Sequence, residues 1–113
     1  MPHRPTIRVT DENQTGQTQT YTLSGKLLGT PECYQFLEDL RDRIRDGHVL
    51  VRLHMQDVDM INSSGAGILA ALAESARKQN GSLTLVGVQP RSRKVLEFMR
   101  LHEFIDLADT AEG

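Results

Sequence analysis

The chain contains no tryptophan, and its two tyrosines and three phenylalanines make up only 4% of 113 residues. A core without large rings must be built mostly from aliphatic side chains. There is one cysteine, Cys33, which excludes an internal disulfide. No stretch approaches the ~18 apolar residues of a membrane-spanning helix. The opening MPHRPTIRVT lacks an apolar signal segment. These absences predict a cytoplasmic protein with no membrane insertion, so the N-x-[ST] matches at Asn13, Asn62 and Asn80 carry no weight. The formal net charge of −2 lacks the basic excess of nonspecific nucleic-acid binders. His3, His48, His54 and His102 form neither HxxxH nor HExxH spacing, so no metal site is predicted.

What is present fits one domain of ordinary size. Hydrophobic content of 38% against 25% charged residues suits a folded chain. TIRVT (6–10) alternates Ile7 and Val9 with polar residues, and TYTLSG (20–25) alternates Tyr21 and Leu23. These read as an antiparallel strand pair around a polar loop at 11–19. Thr30-Pro31 is a helix start. Cys33, Phe36, Leu37, Leu40 and Ile44 then form one buried stripe up to about Asp46, with Cys33 read as a small core residue, and Gly47 stops the helix.

HVLVRLHM (48–55) is a strong strand, with Val49, Val51 and Leu53 on one face and Leu50, Arg52 and His54 on the other. QDVDMIN follows as a connecting loop. A second helix opens at Ser63 or Ser64, carries Ile68, Leu69, Leu72 and Ala76 as its stripe, and ends at Asn80-Gly81. SLTLVGV (82–88) is a further strand. Pro90 starts a third helix bearing Val95, Leu96, Phe98, Met99 and Leu101, and EFIDLA (103–108) adds a short edge strand. Strands joined through helices imply right-handed crossovers and parallel pairing. The predicted fold is α/β, a mixed β-sheet of about four to five strands with the helices packed on one face and the other face partly wet.

The chemistry concentrates in MINSSGAGIL, where two serines and two glycines open the second helix. One serine can cap the helix by accepting a backbone N–H, a contribution of ~1 kcal/mol. The pair leaves one hydroxyl surplus to capping. Gly65 and Gly67 each cost ~1 kcal/mol relative to alanine in a helix, which makes sense where another molecule approaches the backbone. A phosphate on a serine at this point would sit at the positive end of the helix dipole. The glycines match neither GxxxxGK[ST] nor GxGxxG, and Asn62 in place of glycine breaks GxSxG. With no base, nucleophile and orienter in sight, the chain reads as a non-enzyme without a cofactor, and no residue is assigned a catalytic role. The RSRK run at 91–94 is a solvated helix face or, if functional, a contact for an acidic partner protein.

Taken together, LSGKLLGTPECYQFLEDL, HVLVRLHMQDVDMINSSGAGILAAL and GSLTLVGVQPRSRKVLEFMRL resemble successive blocks of a STAS domain, the fold of bacterial anti-sigma factor antagonists. The resemblance implies a single STAS-like domain over 1–113, with a core of about 5–108 and a polar tail at 109–113. INSSGAGIL is similar to the family's Asp-Ser-Ser/Thr-Gly-hydrophobic-Gly motif. By that likeness Ser63 is the phosphorylation target, with Ser64 the second choice and the expected cap. The partner-binding surface implied comprises Leu28, Gly29, Ile61, Asn62, Ser64, Gly65, Ala66, Gly67 and Ile68. The partner implied is an anti-sigma factor that is also a serine kinase, with a second copy of the chain as a further candidate. The alternative is a non-phosphorylated scaffold subunit of a stressosome-like or lipid-transport-like complex. Three positions depart from the family pattern: Asn62 stands for its Asp, and in GKLLG Lys26 and Leu28 stand for its Glu and Asp.

Overall fold

The computed structural model describes residues 6–109, so most of the polar tail, His3 and the start of the N-terminal segment lie outside the described residues. Nine elements follow one another: β1 (Ile7–Thr15), β2 (Thr18–Leu27), α1 (Pro31–Arg45), β3 (Leu50–Ile61), α2 (Ser63–Lys78), β4 (Ser82–Val86), α3 (Pro90–Phe98), a 3-10 turn (Leu101–Glu103) and β5 (Asp106–Ala108). The five strands lie in sequence order in one sheet. β1 pairs antiparallel with β2, and each later pair is parallel. Three successive crossovers that all step in the same direction, each right-handed, must put α1, α2 and α3 on the same face. Burial agrees. Val51, Leu53 and Met55 are buried while Arg52 and His54 between them are partly open, which leaves the far face wet.

The core is aliphatic, as a chain without tryptophan requires. Leu23, Leu53, Leu69, Leu72 and Leu85 have no exposed surface. Among the described residues the one ring–ring contact in it is Tyr21 of β2 against Phe36 of α1, edge to face with centroids 5.8 Å apart. Gln19 is buried with its polar atoms satisfied: its Nε2 donates to the His48 carbonyl at 2.8 Å, and its Oε1 accepts from the Tyr21 hydroxyl at 2.6 Å.

Several boundaries differ from the sequence expectation. The polar 11–19 segment is mostly strand, with only a two-residue turn between Thr15 and Thr18. β1 is an edge strand in which, among the described residues, only Ile7 is buried, so no apolar alternation marks it beyond Val9. QDVDMIN is not a loop: β3 continues to Ile61. Its register against β2 shifts twice, between Thr22 and Ser24 and again between Gly25 and Lys26. Each bulge adds one residue to β3, so burial steps from Met55 to Val58 to Ile61 rather than by twos. β4 stops at Val86. α3 stops at Phe98, which is 89% exposed and not a core residue, and Met99 is also exposed. Leu101 is buried, but from the 3-10 turn.

Leu72 faces the sheet from the middle of α2 with no exposed surface. Leu72→Ala is expected to cost ~2–5 kcal/mol in chemical denaturation. A loss under ~0.5 kcal/mol would mean that the helix does not seat on the core.

Candidate functional site

The ends of β2 and β3 carry the chain to one place. Leu27 pairs with Ile61, β2 then turns through Leu28–Thr30 into α1, and β3 turns through Asn62 into α2. The two turns are stitched together. The Asn62 N–H donates to the Leu27 carbonyl at 3.3 Å. Its side-chain Nδ2 donates to the Leu28 carbonyl at 3.2 Å, while its Oδ1 accepts from the Gly65 N–H at 2.8 Å.

Asn62 is therefore the N-cap of α2, which corrects the expectation that Ser64 caps it. The physical reason is position. Asn62 holds the extended backbone of a cap residue, with φ −97° and ψ −177°, whereas Ser63 and Ser64 are already helical. Both serine side chains are thereby surplus to capping. Ser63 is exposed, its hydroxyl bonds to nothing among the described residues, and the N–H groups of Ser63 and Ser64 likewise find no acceptor there. The first turn of α2 carries no acidic residue, so the positive end of its dipole is unneutralised.

The two glycines of the motif differ. A Cβ on Gly65 would overlap the Leu27 carbonyl oxygen, so Gly65 serves a close approach within the chain and not the approach of another molecule. Gly67 has nothing within 4 Å of such a Cβ and is exposed. Across the seam Gly29 has φ +78°, and a Cβ there would lie 2.5 Å from the Cβ of Ser64.

Of the residues expected to meet a partner, Asn62, Ser64 and Gly67 are exposed and Leu28 and Gly29 half-buried at this surface. Ile61, Gly65, Ala66 and Ile68 are buried, so they shape the surface from beneath and offer no side chain to it. Sequence reading missed Met60, 44% exposed beside the site, and the ion pair of Lys26 with Asp59 at 2.9 Å. Both lie in or against the segment read as a loop, where the two bulges break the period of two, so no alternation in the sequence marks them.

Beneath the β2–α1 turn lies Cys33, fully buried. The Thr30 hydroxyl, at the N-cap position of α1, makes no cap bond and instead donates to the Cys33 sulfur at 3.4 Å. The thiol in turn points to the Lys26 carbonyl at 3.8 Å, and the Thr6 hydroxyl lies 3.7 Å away. Burial alone would push this thiol up, but hydrogen bonds with Thr30, the Leu28 backbone and Thr6 outweigh it and hold the thiol below the usual cysteine value. Elsewhere, Arg93 of the RSRK run pairs with Asp109 at 3.5 Å, while Arg91 and Lys94 are exposed. Among the described residues no cluster of His, Cys, Asp and Glu could hold a metal ion, and no helix is long and apolar enough to cross a membrane.

The sequence profile of the STAS domain family matches residues 11–113. The chain belongs to the STAS domain family. The anti-sigma-B factor antagonist of Bacillus subtilis is 29% identical to this STAS domain over 63 residues, which is 56% of this chain and 58% of that protein, so the match spans little more than half of the relative. Among solved structures, an anti-sigma factor antagonist from Mycobacterium paratuberculosis superposes with a TM-score of 0.76 at 19% identity, covering 94% of this chain and 88% of its own. The Bacillus cell fate determinant SpoIIAA in its phosphorylated form gives 0.64 at 20% identity, covering 94% of each chain. At those identities the structural likeness establishes the STAS fold.

Two measurements check the site's construction. Asn62→Ala is expected to lose ~0.5–2 kcal/mol of stability as a cap deletion, with Ser64→Ala near neutral; the reverse order would restore the serine cap. Gly67→Ala is expected to stabilise α2 by up to ~1 kcal/mol, because its space is open and alanine is the better helix former. Gly65→Ala is expected to destabilise or unfold the domain, and equal effects at the two glycines in thermal melts would contradict the close approach.

Proposed function

We propose that this STAS domain is a non-enzymatic regulatory module that binds an anti-sigma factor with serine kinase activity and is switched by phosphorylation of Ser63. The observation that carries the reading is the division of labour at the start of α2: Asn62 caps, so the exposed Ser63 hydroxyl is free for chemistry. Leu28, Gly29, Asn62, Ser64 and Gly67 form the contact surface, and the unphosphorylated protein is the binding form. Its relatives support the class of partner, since the Bacillus subtilis protein is named an anti-sigma-B factor antagonist and SpoIIAA is described in a phosphorylated form. In this reading the protein acts in the cytoplasm and frees a sigma factor by occupying its inhibitor.

Phosphorylation adds about two negative charges. At the N-terminus of α2 that charge faces unpaired N–H groups and the positive end of a helix, so the fold tolerates it. The same charge placed on a contact surface must be desolvated when a partner binds, which weakens the complex. Asn62, Lys26 and Leu28, standing where the family pattern implied by the resemblance has acids, remove negative charge from around the acceptor and bear on which kinase recognises it.

Incubation with an anti-sigma-type serine kinase and ATP, read by mass spectrometry, tests this. One phosphate is expected on the wild type and on Ser64→Ala, and none on Ser63→Ala. Ser63→Asp is expected to weaken partner binding with the fold intact. Phosphate on Ser64, or none in any variant, would overturn the switch and favour a scaffold role in a larger assembly.

A further inference from the structure

Asn62 caps α2 with one bond and crosses the seam with two others, from its N–H to the Leu27 carbonyl and from its side-chain amide to the Leu28 carbonyl. Its Oδ1 takes the Gly65 N–H, which any good cap residue could do. Its Nδ2 donates to the Leu28 carbonyl at 3.2 Å, which needs a side chain that accepts at one atom and donates at the other. An aspartate in its place would set a carboxylate oxygen against a carbonyl oxygen. A serine would be too short to reach both. Leu28 and Gly29 have no other side-chain bond holding them to α2, and Gly29 packs on Ser64 only while the turn stays closed.

We infer that Asn62 is a positioning residue: its amide clamps the Leu28–Thr30 turn onto the start of α2, so that the two segments of the docking surface are presented to a partner as one. The clamp is a property of the amide and not of capping. Its role in partner contact rests on the function proposed above; the closure of the turn does not. The molecule carries its own reporter of that closure. Cys33 is the only cysteine, is fully buried, and is bonded to Thr30 and to the Lys26 carbonyl on either side of the turn. A thiol reagent reaches it when the turn opens.

The test compares Asn62→Asp, which keeps a good cap and removes the donor, with Asn62→Ser, which keeps a good cap but is too short to reach Leu28 as well. The full chain is treated with 5,5′-dithiobis(2-nitrobenzoate) under native conditions and the Cys33 reaction is followed by absorbance. Both variants are expected to react about fivefold faster than the wild type, the change in equilibrium for one lost hydrogen bond. Far-UV circular dichroism should stay unchanged. With a kinase that modifies Ser63, both variants are expected to raise KM severalfold at unchanged kcat, because the turn contributes to docking and the acceptor hydroxyl is as exposed as before. Asn62 also lies on the contact surface, so the thiol rate, measured with no partner present, is the readout that separates the clamp from a lost contact. Wild-type thiol rates in both variants overturn the clamp. Failure of the wild type to accept phosphate would overturn the switch instead, and the thiol rates would then decide the clamp alone.

Discussion

Helix α2 meets the end of β2 with no side chain between them: Gly65 lies on the Leu27 carbonyl, and a methyl group there would occupy the oxygen's place. The rest of the site depends on this contact. It fixes how deeply α2 sits on the sheet, and so puts Asn62 where one amide reaches both the Gly65 N–H and the Leu28 carbonyl. It brings Ser64 against Gly29, whose positive φ and missing Cβ leave room for it. With Asn62 turned inward to cap and Ser64 against the neighbouring turn, Ser63 is the hydroxyl that points away. The exposed serine is thus a consequence of backbone packing two residues further on.

The electrostatics of this end are as distinctive as its packing. The first turn of α2 has no carboxylate, and the nearby Lys26 is matched with Asp59 in an exposed pair that contributes little to stability. A helix start left positive and unneutralised is suited to receiving negative charge late, by modification, without disturbing what holds the fold together. The stability resides elsewhere, in the aliphatic layer between sheet and helices, where Leu53, Leu69 and Leu72 are fully enclosed.

Much of this was legible in the residues. The stripes Phe36–Leu40–Ile44 and Ile68–Leu72–Ala76 are buried as their 3.6-residue spacing requires, and the alternation of Val51 and Leu53 set the covered face of β3. The second half of β3 was hidden because two bulges break the period of two just where the strand nears the site, so Val58 and Ile61 look unrelated to Met55. β1 reads short because beyond Val9 it is an edge strand exposed to water, with no apolar rhythm to mark it. The cap was misplaced by one or two residues because Asn and Ser serve equally well there, and only the backbone angles tell them apart. Gly65 and Gly67 look alike in sequence. Their difference is tertiary, since one faces Leu27 and the other faces water.

The central claim is that the start of α2 is locked to the end of β2 as firmly as the core itself. Native-state amide hydrogen exchange measures this directly, through the Asn62 N–H bonded to Leu27 and the Gly65 N–H bonded to Asn62. A lock predicts that both amides exchange only through global unfolding, with the same protection as Leu72 in the middle of the helix. Near-unprotected exchange at Asn62 and Gly65 beside a protected Leu72 would contradict it, and would make the helix start a frayed end instead of a built surface.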